Sequence, residues 1–428
     1  MKPAKTLSSV AVLCGLLAGI NPASAQIGAV WMQNNTTNEL WTAVASSADG
    51  TRLLARARAP APVLISTNSG VTWTPTSLVA QTREASAGIG AGHLIASSAD
   101  GSVLAVLDDL TTIYISRDSG ATWTARAPGT FHVCGVAMSA DGSKIAVVEY
   151  EGNILTSTDF GTNWTTRATT QEWEDIASSS DGSKLVAVTY YGNNYTSGGQ
   201  IYTSTDSGAN WVARATSQYW MSVASSADGT RLVAVNQSDS NFPTSGAYAG
   251  AIYTSSNSGT NWTGPYAPTA RILFWNCVAS SADGERLVAV AGDSFSGYCT
   301  PIYTSTNAGA TWQLSYAPER NWQSVASSAD GSKLIAAGEI LDPNTLSATS
   351  SAIYTYADLS TNAPALSLAT GGGNAFVSWP WPSAGFVLQQ NSDLATTNWV
   401  NVSGTPAVVN QTIAAQTGTN NFYRLVKP

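Results

Sequence analysis

The sequence predicts an all-β protein: a seven-bladed β-propeller of four-stranded blades, followed by a small C-terminal β-sandwich. Three observations predict it. An Ala-Asp-Gly turn, with Ser replacing Ala once, places Asp at 49, 100, 141, 181, 228, 283 and 330. Those spacings, 40 to 55 residues, are close to one propeller blade. A second turn, Ser-x-Asp/Asn-x-Gly-x-x-Trp, occurs at Ser66–Trp73, Ser116–Trp123, Ser157–Trp164, Ser204–Trp211, Ser255–Trp262 and Ser305–Trp312. Helical periodicity is nowhere evident, and 37 Gly with 15 Trp suit a turn-rich β protein.

Each unit supplies four strands, as Trp220 to Trp262 illustrates. Strand A is the Val-Ala-Ser-Ser run before the Asp-Gly turn, where Gly accepts positive φ at little cost. Strand B is the Leu-Val-Ala-Val run. It is apolar on both faces, as a strand sandwiched between neighbouring blades must be. Strand C is Ile-Tyr-Thr-Ser, and strand D starts at the Trp of the second turn. In that turn a short Asp or Asn side chain accepts backbone hydrogen bonds, Gly supplies positive φ, and Trp packs between sheets.

The seventh second turn is split. Ile353-Tyr354-Thr355-Tyr356 is followed by neither the Gly nor the Trp, whereas Gly28-Ala29-Val30-Trp31 is similar to Gly120–Trp123. The N-terminal segment is therefore expected to supply strand D of blade seven and close the ring. The propeller then spans 26–362, and the sandwich spans 364–428, where short alternating strands follow a composition shift.

Residues 1–25 read as a signal peptide. Lys2 and Lys5 precede an apolar run from Val10 to Ile20, and Ala23-Ser24-Ala25 is a small-residue cleavage site. The run is too short for a stable membrane anchor. Leu13 stands before Cys14, where a lipidation motif wants a small residue. The expectation is a secreted protein, extracellular, periplasmic or surface-associated, with no membrane insertion. A net charge of −8 and only 11% charged residues argue against nucleic acid, which needs a basic patch. Two histidines argue against a multi-histidine metal site, and no phosphate loop, Ser-His-Asp order or metal-spaced Cys/His set is present, so neither cofactor nor metal is expected. Of the cysteines after residue 25, Cys277 and Cys299 are a possible disulfide, and Cys134 reads as a small buried hydrophobe.

The six second-turn motifs resemble the Asp-box, or BNR, repeat. Over about residues 27–360 the chain is similar to the Asp-box propellers: sialidases, xyloglucan-cleaving glycosidases, sortilin-type receptors and photosystem II assembly factors. The tail resembles the fibronectin-III-like modules of secreted bacterial proteins. The sialidase resemblance implies a Phe/Tyr-Arg-Ile-Pro motif, which is absent, and an arginine triad. Arg83, Arg271 and Arg320 lie in D–A connections, with nothing to place them together. The photosystem factors match the blade count but use a basic patch that this chain lacks.

Candidate sites fall at the channel mouth formed by the D–A and B–C connections. Trp41, Trp173, Trp220, Trp275 and Trp322 each precede strand A, where blades two and three carry Gly92 and Val133. They read either as packing between blades or as an aromatic platform for sugar rings or a peptide. Tyr190, Tyr191, Tyr219 and Phe274 flank that arc. The B–C loops Tyr190–Gln200, Gln237–Gly250, Gly292–Thr300 and Glu339–Ser350 are long, polar and suited to recognition. Glu149, Glu151, Glu172, Glu174 and Asp175 lie on the same face, and a glycosidase pair is conceivable between Glu151 and Glu174 or Asp175. The expected function is non-catalytic recognition of an extracellular or cell-surface glycan or protein. A glycoside hydrolase and an assembly scaffold are the alternatives.

Overall fold

A computed structural model describes residues 29–426 apart from positions 37–38, 59, 81–92, 109–110, 130–131, 169, 193–197, 215–216, 238–249, 267–273, 293–299, 316, 342–347 and 359–366. In the C-terminal segment it also omits the connections 372–373, 380–386, 392–399, 402–410 and 417–421. The expected signal peptide thus lies outside the described residues, as does Cys299. The chain divides into two compact units, one of them Ala29–Leu341 with Ser347–Asp358.

That unit is seven four-stranded antiparallel sheets. The inner strands A begin with Trp41–Ser46, Ile95–Ser97, Val133–Met138, Trp173–Ser178, Trp220–Ser225, Trp275–Ser280 and Asn321–Ser327. Blade seven is completed by Ala29–Gln33, which pairs with Ala348–Asp358 in the register Ala29↔Asp358 to Gln33↔Tyr354. Trp31 is buried there, 6.2 Å from Trp322 and 5.4 Å from Tyr356 between ring centroids, and it donates Nε1–H to Ser315 Oγ at 2.9 Å. In the other unit two three-stranded sheets are described. One is Ser367–Gly371, Asn374–Trp379 and Gln411–Gln416; the other is Val400–Asn401, Val387–Asn391 and Phe422–Val426.

The Asp-Gly turns are built alike and lock into one another. In each, a buried serine (Ser47, Ser98, Ser139, Ser179, Ser226, Ser281, Ser328) donates its hydroxyl to the turn aspartate at 2.5–2.7 Å. The residue between serine and aspartate uses both backbone groups across blades. Ala48 N–H donates to Ala99, Ala99 to Ala140, Ala140 to Ser180, Ser180 to Ala227, Ala227 to Ala282, Ala282 to Ala329, and Ala329 back to Ala48, all at 2.7–2.8 Å. The result is a closed ring of backbone hydrogen bonds around the channel. Glycine is required beside it: at Gly182 φ is +66°, and an added Cβ would lie 2.7 Å from Lys144 Cδ. Lys144 reaches over this glycine to donate to the Asp181 carbonyl at 2.8 Å.

The second turn is equally regular. In the Ser116 turn, Ser116 Oγ accepts from Gly120 N–H at 2.8 Å, Asp118 Oδ1 accepts from Thr122 N–H at 2.8 Å, and Trp123 Nε1–H donates to the Gly120 carbonyl at 3.1 Å. One expectation needs correction. The two ends of the Glu339–Ser350 loop are strand: Lys333–Leu341 and Ala348–Asp358 continue pairing through Glu339↔Ser351 and Ile340↔Ser350, with 342–347 outside the described residues.

Two predictions follow from closure and from the turns. Deleting Ala29–Gln33 exposes the edge of Ala348–Asp358 and removes Trp31, so the truncated chain should melt earlier and aggregate; light scattering and a thermal scan read this, and an unchanged melting temperature contradicts it. Asp49, Asp181, Asp228 and Asp330 are held from the ordinary 3.8 down to about 2, with the serine hydroxyl bond as the largest cause. Depressed carboxylates contribute stability that is present above the unfolded pKa and lost as pH falls through the folded one. The melting temperature should therefore drop steeply between pH about 4 and about 2.

Candidate functional site

The five strand-A tryptophans are 0–1% exposed. Each is a wedge between its own blade and the preceding one. Trp220 packs with Val186, Val188 and Ile201 of blade four, and Trp41 packs with Ile335, Ala337 and Ile353 of blade seven. Four also meet the strand-C tyrosine of their own blade edge-on, at 5.0–5.7 Å between ring centroids: Trp173–Tyr202, Trp220–Tyr253, Trp275–Tyr303 and Trp322–Tyr354. The ligand-platform expectation for Trp41, Trp173, Trp220, Trp275 and Trp322 is corrected accordingly, because a ring sealed between sheets offers no face for stacking.

What the mouth does present is the flanking set. Tyr190, Tyr191 and Tyr219 are half-buried and form one cluster, with centroids 4.7 Å (190–191), 5.4 Å (190–219) and 5.6 Å (191–219) apart. Tyr190 Oη donates to Gln237 Oε1 at 3.2 Å, tying blade four to blade five. Phe274 is half-buried at the entry to blade six, and its carbonyl accepts Gly292 N–H at 2.9 Å. The distal parts of the loops of blades four to six, at 193–197, 238–249 and 293–299, lie outside the described residues. Arg320 is committed to Tyr354, donating Nε–H to its hydroxyl at 3.0 Å, while Arg83 and Arg271 lie outside the described residues.

The carboxylates of this face differ sharply in burial. Glu151 is exposed, and the neighbour whose carboxyl it raises is Glu172. Burial, and then Glu151, push Glu172 up to about 7. Glu174 is fully buried. Asp175 is also fully buried and turned to the inner strand of blade five, where its Oδ2 accepts Val223 N–H at 2.9 Å, so of the expected Glu151 with Glu174 or Asp175 only Glu151 is exposed. The cause is a β-bulge in strand A. Trp173 pairs with Thr189 while Asp175 pairs with Val188, and the extra residue re-aims the side chain. The same irregularity recurs in every blade but the second.

The bulged position stitches the inner strands together. Val44 N–H donates to Ser324 Oγ at 3.2 Å, Val278 N–H to Ser222 Oγ at 3.3 Å, and Val223 N–H to Asp175 Oδ2 at 2.9 Å. Blade three has Gly135 there, and a Cβ would lie 3.2 Å from Asp175 Cα and 2.9 Å from Val148 Cγ2. This gap lets Asp175 reach past blade three to blade two, where it accepts from His93 N–H at 3.1 Å and lies 2.9–3.0 Å from His93 Nδ1. The His93 ring, 21% exposed, lines a channel cavity of about 210 Å³ walled by Val44, Val136, Ile176, Val223 and Val325. Its other nitrogen, Nε2, lies 3.8 Å from Cys277 Sγ of blade six. Cys277 is a buried free thiol, its sulfur turned to His93 and to the Val325 carbonyl at 3.7 Å; Cys299, its expected disulfide partner, lies outside the described residues. Cys134 is a second buried free thiol, facing the Trp173 carbonyl at 3.1 Å and pushed up by burial and then by Glu174. Sequence reasoning did not single out His93 or Gly135.

No protein-family model matches the chain, and no curated protein matches it. Solved structures share its fold. A structure of YCF48 bound to D1 peptide superposes with a TM-score of 0.52 at 15% identity, covering 77% of this chain and 96% of that one. YCF48 from Cyanidioschyzon merolae gives 0.54 at 13%, covering 77% and 99%. Hydrazine synthase from Kuenenia stuttgartiensis gives 0.55 at 14%, covering 73% and 96%. At such identities the likeness shows the propeller fold alone.

The interblade role of the tryptophans makes a direct prediction. Trp220→Ala should cost about 3–5 kcal/mol in a denaturant titration, the usual range for emptying a buried aromatic site. A loss below about 1 kcal/mol contradicts the wedge.

Proposed function

We propose that this chain is a non-catalytic scaffold that holds a segment of a protein partner across the channel mouth of blades four and five. The observation that carries the reading is the Tyr190–Tyr191–Tyr219 cluster: three accessible rings fixed against each other on a stiff base. Tyrosines bring large contact area at low entropic cost, with an apolar ring face and a polar tip on one side chain. The fold neighbour seen with a D1 peptide supports a peptide as the class of ligand for such a propeller. The leader-like residues 1–25 support a site of action outside the cytoplasm. Recognition of a glycan by the same rings is the competing outcome.

The test is a random peptide display selection and a glycan array, both on the full chain. Peptides should be enriched. Tyr191→Ala and Tyr219→Ala should each weaken the selected peptides by about 5- to 30-fold, the effect of losing 1–2 kcal/mol at an aromatic anchor, with the melting temperature little changed. Selected peptides whose affinity ignores both substitutions, or binding to glycans alone, would overturn the reading.

A further inference from the structure

Beside the tyrosine cluster, the mouth of blades three and four carries a carboxyl group that the chain leaves unneutralised. Glu172 is 5% exposed, and neither of its carboxyl oxygens has a hydrogen-bond partner. Its backbone is fixed from both sides. The Glu172 carbonyl accepts Tyr190 N–H at 3.1 Å, and the Gly152 carbonyl accepts Gln171 N–H at 3.0 Å. The second bond ties the turn of blade three to the entry of blade four and brings exposed Glu151 beside Glu172. Burial and then Glu151 hold the Glu172 carboxyl up at about 7, and no basic side chain among the described residues offsets them. Arg167, the nearest basic residue in sequence, is turned to Thr156 Oγ1 at 2.9 Å. A buried carboxylate with neither hydrogen bond nor counter-charge is costly, because the water that would solvate it has been removed.

We propose that the partner segment held by the tyrosines carries a basic side chain, lysine or arginine, whose charge seats between Glu151 and Glu172. This rests on the partner-binding reading and adds the chemistry of the segment. The two glutamates divide the work by burial. Exposed Glu151 attracts the cation from solvent, and Glu172, out of water, pairs with it strongly. Tyr190, whose backbone is bonded to Glu172, places the ring cluster next to the same point. A lysine or arginine stem packs along aromatic faces while its head reaches past them to the carboxylates. Because the Glu172 oxygens are closed to solvent, seating the head needs a side-chain rearrangement, a common change at interfaces on binding. A bare metal ion fits less well. Hard cations want six or more oxygens, and among the described residues no group of three or more His, Cys, Asp or Glu side chains is arranged to hold one.

The peptides recovered by display on the full chain are sequenced and then used as probes in a double-mutant cycle. A basic residue should recur at one position. Replacing it by Ala should weaken binding about 10- to 100-fold, the effect of losing one partner of a desolvated charge pair. Glu172→Gln should weaken the parent peptide by a similar factor, and Glu151→Gln, at the exposed rim, by about 2- to 5-fold. Neither variant should change the affinity of the Ala-substituted peptide, a coupling that a merely structural role for either glutamate would not produce. Glu151 is exposed, so its variant keeps the cycle readable should Glu172→Gln fail to fold. Peptides that depend on Tyr191 and Tyr219 but carry no recurrent basic residue, or one coupled to neither glutamate, would overturn this inference and leave the partner reading standing. Basic peptides coupled to the glutamates but indifferent to both tyrosine substitutions support the acidic seat and overturn the tyrosine reading. Recovery of no peptide at all overturns both.

Discussion

The closed ring of seven backbone hydrogen bonds between Asp-Gly turns is the constraint on which the rest of the structure depends. Each turn donates to the next and accepts from the one before, from Ala48 round to Ala329 and back. A ring of this kind has no free donor or acceptor among its members. It therefore fixes the number of blades, their order and the height of each inner strand. The serine–aspartate pair makes the turn stiff enough for the ring to close, and the ionised aspartate is what the serine and backbone donors favour. Closure at the outer edge then falls to Ala29–Gln33, which comes from the other end of the unit's sequence.

With the turn end held, the opposite end of each inner strand carries the variation. The bulge after the first strand-A residue lets one side chain seal the interblade space and the residue two positions on reach the adjacent strand. Trp173 and Asp175 are the clearest case: one is a wedge, the other a bridge to blades two and five. Blade two departs from the rule. Its inner strand is short, Ile95–Ser97, and His93 before it turns its ring into the channel. Gly135 in blade three and Asp175 in blade four are shaped around that departure.

The legible part of this fold was local. Turns repeat in sequence because their hydrogen bonds run between residues two to five positions apart, as from Ser47 to Asp49 and from Arg52 N–H to Ser47. The seven blades, the four strands in each and the split seventh blade could be read from that periodicity. The site could not. Periodicity marks Trp220 as structurally recurrent without saying which face of strand A it takes, and only the bulge decides that it is buried. His93 lies 82 residues from Asp175 and 184 from Cys277, and no spacing motif relates them because the ring, not the chain, brings them together. The two ends of the loop expected at Glu339–Ser350 continue the flanking strands, which their polar composition hides.

The two ends of the propeller thus answer to different physical demands. At the turn end every blade repeats the same bonds, since any one turn that failed would open the ring. At the mouth the connections are free of that demand and differ from blade to blade. Arg58 there faces buried Glu339 at 3.3 Å across blades seven and one, Glu172 sits beside Glu151 at blades three and four, and the tyrosine cluster spans four and five. On the proposed reading, such asymmetry around a rotationally regular frame gives a partner one orientation out of seven. The tyrosines favour one sector for contact, and the carboxyl groups beside it disfavour an acidic segment on that flank. A regular core with a single irregular sector is how a repeat fold can be rigid and specific at once.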